Sequence, residues 1–485
     1  MNGFGGVDLA VLVAYLAATT AWGAWLGRRQ RGGSDYFLGN RRLPWGAVLL
    51  SVVATETSTL TFLSIPGVAY LGTLGFLQLT FGYLAGRLVV ASLLLPAYYR
   101  GELKTAYALL GARFGSGVRR LTSAIFMVTR LLADSVRLFA TAIPLALVTG
   151  WPYPLSILVI GALTVVYTYF GGIKAVVWVD AVQMALYLLG AAIAVVVLQG
   201  LVDGGWGAIL SQAGAAGKLR IVDLSLDFSI PYTLWAGLLG GGFLAMASHG
   251  TDQLIVQRLL TCKDLAASRR ALIGSGVAVV GQFAVFLLVG LGLWAFYENR
   301  AFAASDEIFA RFIVEELPPG VTGLLIAGVF AAAMSSLSSS INSLASSSAY
   351  DFWAPARGID DDARILRAGK LFTLVWAGLL VGGAILFIPL SAGTSAVEVA
   401  LAVASLVYGG LLGAFALGVL SRRATAGGTA AGMVTGIGAV TAIWILAPDR
   451  VAWPWFVLIG TAITVVVGMA VSGARSRSPA DAPRP

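Results

Sequence analysis

One cysteine, Cys262, and one histidine, His249, occur in 485 residues. A lone cysteine excludes a disulfide within the chain and any cysteine metal cluster. A lone histidine argues against a histidine metal site and a Ser-His catalytic pair; His249 could be offered as a base, but no oxyanion-hole or metal partner is evident, and the chain is read as a non-enzyme. Charge is scarce too. Asp, Glu, Lys and Arg make up 11% of the residues, against about 25% in soluble domains. The first eight residues carry no Lys or Arg, so the first apolar run lacks the basic start of a signal peptide.

Apolar length is abundant. The chain is 58% hydrophobic. Spanning-length runs lie near 6–27, 45–70, 74–98, 121–149, 151–170, 177–200, 231–257, 272–297, 319–348, 369–389, 393–420, 427–447 and 453–472. This predicts an all-α polytopic membrane protein with about thirteen spans. Its 60 glycines suit close helix packing in lipid. Basic residues gather in one set of loops, including Arg41, Arg42, Arg100, Arg119, Arg120, Arg258, Arg269, Arg270, Arg422 and Arg423, whereas the opposite loops hold only Lys218, Arg220, Arg300, Arg311 and Arg450. The positive-inside rule then predicts an outer amino terminus and a cytoplasmic carboxyl terminus. The net charge of +9 is thus topology and does not signal nucleic-acid binding. A single transmembrane domain, 1–472, is expected, with a disordered cytoplasmic tail at 473–485. Periodicity over 306–316 predicts a helix on the outer surface.

Within this apolar background, residues 331–348 read AAAMSSLSSSINSLASSS. Wound as a helix, Ser335, Ser339, Asn342 and Ser346 form one stripe, and Ser336, Ser340, Ser343 and Ser347 the next. Leu337, Ile341 and Leu344 form an apolar third. Lipid offers a hydroxyl no partner, so the oxygen-rich face must meet backbone, water, solute or a cation. The plainer alternative is that small serines allow tight helix contact.

Two spans are interrupted by polar residues. The second carries Thr55-Glu-Thr-Ser-Thr59 and then Pro66-Gly67. The seventh mixes Gly240, Gly241 and Gly242 with Ser248, His249, Thr251 and Asp252. Interrupted spans five apart point to a five-plus-five inverted repeat, with repeats near 45–200 and 231–420 and accessory helices at 6–27 and 427–472. Unwound backbone frees carbonyls that can bind a cation where they face a cavity. Bending for packing alone is the alternative reading.

Arg130, Asp134 and Arg137 stand at i, i+4 and i+7 in the fourth span, on one face. Charges near a midplane default to a functional role, and arginine's planar fork suits a carboxylate. A closed Arg-Asp-Arg cluster, also touching Glu56, is the alternative. Asp180 lies about one turn past Lys174 and would pair with it or cap a helix start on a structural reading. Glu398, early in the eleventh span, is a gate or a packing residue.

Five pieces together resemble the sodium/solute symporter family of sodium-coupled glucose, proline, sialic acid, monocarboxylate and vitamin carriers. They are Asp35-Tyr-Phe-Leu-Gly39, the break Ala54 to Ser58, Tyr167-Thr-Tyr-Phe-Gly-Gly-Ile-Lys-Ala-Val-Val-Trp-Val-Asp-Ala-Val-Gln183, Asp252-Gln-Leu-Ile-Val-Gln-Arg258 and the serine run. They fall in family order and cover nearly the whole chain. The resemblance implies a leucine-transporter fold with an extra amino-terminal helix in a bacterial inner membrane. It implies sodium-driven import of a small polar solute by a protein that works as a monomer. By the same resemblance, one sodium ion is held by the carbonyls of Ala54, Thr57 and Ala332 and the hydroxyls of Ser335 and Ser336. Asp180, Ser338 and Ser339 match a second sodium site found in some members.

For the solute, Arg130 looks like the arginine that binds the carboxylate in the sialic acid carriers. Thr55, Glu56, Ser58, Thr59, Gln78 and Asp252 are the other expected contacts. Glu56 resembles the acidic residue of the proline carriers, while Asp252 replaces an amide common in the sugar carriers. The cargo implied is a carboxylate such as a sialic acid or another organic anion. A sugar or amino acid, or proton coupling through Glu56 or Asp180, stays open.

Overall fold

The computed structural model describes residues 4–27, 30–101, 103–302, 305–388 and 396–476. Helix is the only regular structure among them, apart from one isolated bridge between Leu43 and Cys262. Eight helices among the described residues are long and apolar enough to cross a membrane, and a bent pair makes a ninth span. The side chain of Glu398 and the tail 477–485 lie outside the described residues.

One helix forms the centre. The serine helix, Val321–Ser347, is 83% buried across its most apolar window, whereas the outer helix Asp362–Phe387 is 22% buried. A membrane helix buried to that degree can carry hydroxyls on most faces because protein surrounds it. Its start is capped from far away in sequence. Asp8, in the first helix (Gly6–Leu26), accepts from the backbone N–H groups of Gly320 at 2.7 Å and Gly323 at 2.8 Å. A carboxylate at a helix start satisfies orphan donors and complements the dipole.

The second apolar run is two helices, Trp45–Glu56 and Thr59–Leu71, bent by 61°. The break falls at Thr57 and Ser58, which take extended backbone angles. Ser58 caps the second half, its hydroxyl accepting from Thr61 N at 3.4 Å. Pro66 and Gly67 do not break the chain as the sequence suggested. They sit inside the second helix, where Gly67 lies against the Ser305 backbone and the Pro66 carbonyl lies against Gly290. A side chain at Gly67 or Gly290 would collide with that backbone, so these residues serve close approach.

The seventh run behaves similarly. A π-helical turn, Ala236–Gly241, leads into Gly242–Gly250; Thr251 and Asp252 leave the helix, and Gln253–Leu259 follows. Asp252 starts the last piece by accepting from Leu254 N at 2.9 Å. The fifth and sixth runs join into one 49-residue helical stretch, Tyr153–Leu201, that turns at Gly172, whose φ of 53° favours glycine. The charged helix, Ser116–Thr149, and the long stretch both pack on the serine helix. The surface helix expected near 306–316 is found at Ser305–Glu315.

Candidate sodium and solute site

At the first break the backbone ladder opens. Thr57 N still donates to Val53 O at 2.9 Å, but Ser58 N turns to Glu56 O at 3.2 Å. The Ala54 carbonyl thereby loses its usual i+4 donor. The broken pair runs alongside the serine helix. Thr55 Oγ1 lies 3.1 Å from Ser339 Oγ and donates to Ser51 O at 2.7 Å, while Thr59 Oγ1 donates to Val329 O at 3.1 Å. Thr57 Oγ1 accepts from Gln282 Nε2 at 2.7 Å. Between these clamps, Ser335 Oγ lies beside the Asp180 carboxylate without a hydrogen bond of normal geometry, and Ser336 Oγ is buried with no hydrogen-bond partner among the described residues. A buried hydroxyl left unpaired costs about 1–3 kcal/mol. Two on adjacent residues, on a helix that packs along the opened break, fit a hard cation that takes oxygen ligands. Ala54, Thr57 and Ala332 are buried as well.

Asp180 and Ser339 meet a residue that the sequence placed in a cytoplasmic loop. Arg258 is fully buried. It donates through Nε to Ser51 Oγ at 2.9 Å, through Nη1 to Leu254 O at 2.7 Å, and through Nη2 to Asp180 Oδ2 at 3.2 Å and to Ser339 Oγ. Ser51 Oγ also donates to the same Asp180 oxygen, at 2.6 Å. The other carboxylate oxygen, Oδ1, is buried without a partner among the described residues. Ser338 and Ser339 donate to Ser335 O at 3.1 and 2.6 Å. Lys174 pairs with Asp35, not with Asp180. The signal for Arg258 was its position at the edge of an apolar run.

The charged helix holds two unlike arginines. Arg130, 5% exposed, is bound by the Asp252 carboxylate and the Tyr408 hydroxyl, with Asp134 Oδ1 at 3.5 Å. Tyr408 also donates to Asp252 Oδ2 at 2.7 Å, closing a triangle across three helices. Arg137 has a single ion pair among the described residues, with Asp134 Oδ1 at 3.2 Å, and is 23% exposed. It lines a narrow cleft with Asp134, Thr141, Ser58, Thr59 and Ser336. The free volume there is about 10 Å³, room for about one water, so a solute must widen it.

Glu56 does not touch the Arg130 cluster. It pairs with Arg87, and His249 Nε2 lies 2.9 Å from Arg87 Nη2 and 3.6 Å from Glu56 Oε2. Gln78 is fully buried and bonded to backbone alone, through Gly75 O, Tyr232 O and Asp223 N at 3.0–3.2 Å. Of the expected solute contacts, the structure therefore brings Ser58 and Thr59 to the cleft. It holds Thr55, Glu56, Gln78, Arg130 and Asp252 in bonds with protein.

A buried helix with unpaired hydroxyls, packed on a broken helix within a multi-pass bundle, is the architecture of a secondary transporter. The profile of the sodium:solute symporter family matches residues 36–436. The chain belongs to that family and is a sodium-coupled solute symporter. It is 29% identical over 470 residues to the sodium/sialic acid symporter NanT of Aliivibrio fischeri, covering 96% of this chain and 92% of that one. It is 30% identical over 460 residues to the sodium/sialic acid symporter SiaT of Proteus mirabilis, with coverage of 91% and 90%. The human sodium/iodide cotransporter is 29% identical over 460 residues, 91% of this chain and 70% of that one.

Among solved structures, a substrate-bound, outward-open Na+-coupled sialic acid symporter superposes with a TM-score of 0.88 at 28% identity, covering 97% of this chain and 98% of that one. Mhp1, a nucleobase-cation-symport-1 family transporter, superposes at 0.57 with 15% identity, over 93% and 97%, and shares the fold alone. The fold is leucine-transporter-like.

Proposed function

We propose that the chain imports a carboxylate-bearing solute, a sialic acid or another organic anion, by alternating access across a bacterial inner membrane, working as a monomer of thirteen spans with its amino terminus outside. Sodium binds between Ala54, Thr57, Ala332, Ser335 and Ser336. Bound there, it ties the broken helix to the serine helix and favours the outward-facing state through differential affinity. A second sodium at Asp180, Ser338 and Ser339 shares its carboxylate with Arg258. The observation that carries the anion reading is Arg137 on the cleft wall beside Ser58, Thr59 and Ser336. Its guanidinium supplies the fork, and the hydroxyls supply orienting bonds. Arg130 reaches the solute only when Asp252 releases it. The likeness to the two sodium/sialic acid symporters supports the same class of cargo.

The test is uptake into proteoliposomes. Labelled sialic acid should accumulate under an inward sodium gradient and not under potassium, and other organic anions should compete. Equal uptake in potassium would remove sodium coupling. Competition by neutral sugars or amino acids but by no anion would remove the carboxylate assignment.

A further inference from the structure

We propose that a cleft at the basic end of the bundle binds the headgroup of an anionic phospholipid. The cleft lies between the end of one span and the start of another. Residues 90–94 form a π-helical turn, Leu95–Arg100 continues from it, and Leu265–Phe296 begins opposite. Its cavity is about 620 Å³ and is lined by Leu93, Pro96, Tyr99, Arg100, Leu265 and Arg269, within the roughly 300–1,000 Å³ typical of small-molecule sites. No carboxylate lines it.

The two arginines differ from ordinary loop charges. Arg269 is half-buried, and its Nε donates to Ala91 O, in the π turn, at 2.9 Å. That bond fixes the guanidinium and leaves its two terminal nitrogens free of hydrogen bonds among the described residues. Arg100 is exposed and has no ion pair among them. A fixed fork and a second, exposed guanidinium suit a phosphate. The apolar part points to lipid as its source. Leu93 lines the cleft and is 46% exposed, and Leu88 and Val89, about one turn earlier on the same span, are 49% and 38% exposed. A phospholipid seated here puts its phosphate at the two arginines and its acyl chains along the apolar flank of the span, in the bilayer it already occupies. Basic pockets between spans on the cytoplasmic side recognise such headgroups.

The test is native mass spectrometry of the purified full chain with dioleoylphosphatidylglycerol or dioleoylphosphatidylcholine, paired with melting in inorganic phosphate. Phosphatidylglycerol should be retained in preference to phosphatidylcholine. Arg100→Gln with Arg269→Gln should weaken its retention about thirtyfold, at about 1 kcal/mol for each basic residue near the surface. Arg100→Gln alone, at an exposed position, should weaken it about fivefold, which keeps the test open if the double variant does not fold. Sodium-dependent thermal stabilisation should persist in the variants. Equal retention of the two lipids, or no effect of the substitutions, overturns the proposal. Displacement of the lipid by millimolar inorganic phosphate overturns the lipid assignment and makes the ligand a soluble phosphate.

Discussion

Arg258 Nη2 lies 3.2 Å from Asp180 Oδ2, with both side chains fully buried and 78 positions apart in sequence. Arg258 also reaches Ser51 and Ser339, so one guanidinium ties the serine helix to three others. Removing one partner of a buried pair leaves an uncompensated charge, at a cost of about 3–5 kcal/mol. Asp180→Asn should therefore lower the melting temperature of the detergent-solubilised protein sharply. The double variant Asp180→Asn with Arg258→Gln should recover part of the loss. Equal melting of wild type and Asp180→Asn would show that the pair is not formed.

The unpaired hydroxyls of Ser335 and Ser336 should be felt in the driving ion. Ser335→Ala with Ser336→Ala removes the two hydroxyls proposed as sodium ligands, neither of which makes a hydrogen bond of normal geometry among the described residues. The sodium concentration for half-maximal uptake should rise about tenfold or more, while the fold is kept, since each unmade buried contact of this kind is worth about 1 kcal/mol or more. An unchanged sodium curve in proteoliposomes would sink the site.

The two arginines of the charged helix should separate cleanly. Arg137→Gln should weaken binding of a carboxylate solute about tenfold or more, as expected for a charge-assisted pair of about 1.5–3 kcal/mol, with melting little changed. Arg130→Gln should instead destabilise the protein, because Asp252 stays buried without its partner. Thermal shift with and without solute distinguishes the two. Full solute affinity in Arg137→Gln would remove that residue from the site.

Asp8 links the first helix to the start of the serine helix. Asp8→Ala strips the acceptor from Gly320 N and Gly323 N and should cost about 1–2 kcal/mol of stability, the usual loss for a helix cap. The sodium dependence of uptake should not move. A shift in sodium affinity without a change in melting would mean that Asp8 acts on the ion and not on the helix.

Much of this was legible in order along the chain. Hydropathy predicts the apolar runs, the Thr55 to Thr59 cluster predicts an interruption, and the serine run predicts a helix whose oxygen-rich face must meet backbone, water, solute or a cation. These are local properties, since a helix's period and a segment's transfer cost depend on neighbours within a few turns. Pro66-Gly67 misled because a proline in a membrane helix can stay helical where a neighbouring helix packs against it, as Gly290 does here.

The partners of the buried charges were not legible. Within one helix, i, i+4 spacing puts Arg130 beside Asp134, and both are found there. Nothing local says that Arg130 is held by Asp252 and Tyr408, that Glu56 pairs with Arg87, or that Arg258 belongs to Asp180. Those pairings depend on the rotation and depth of one helix against another. The packing of the whole bundle sets these, and a charge buried in lipid must take whatever counter-charge that packing brings within reach. The sequence by itself determined a membrane bundle with a sodium-grade oxygen surface. Only the tertiary structure decided which of its charges are spent on one another and which, like Arg137, face the cleft.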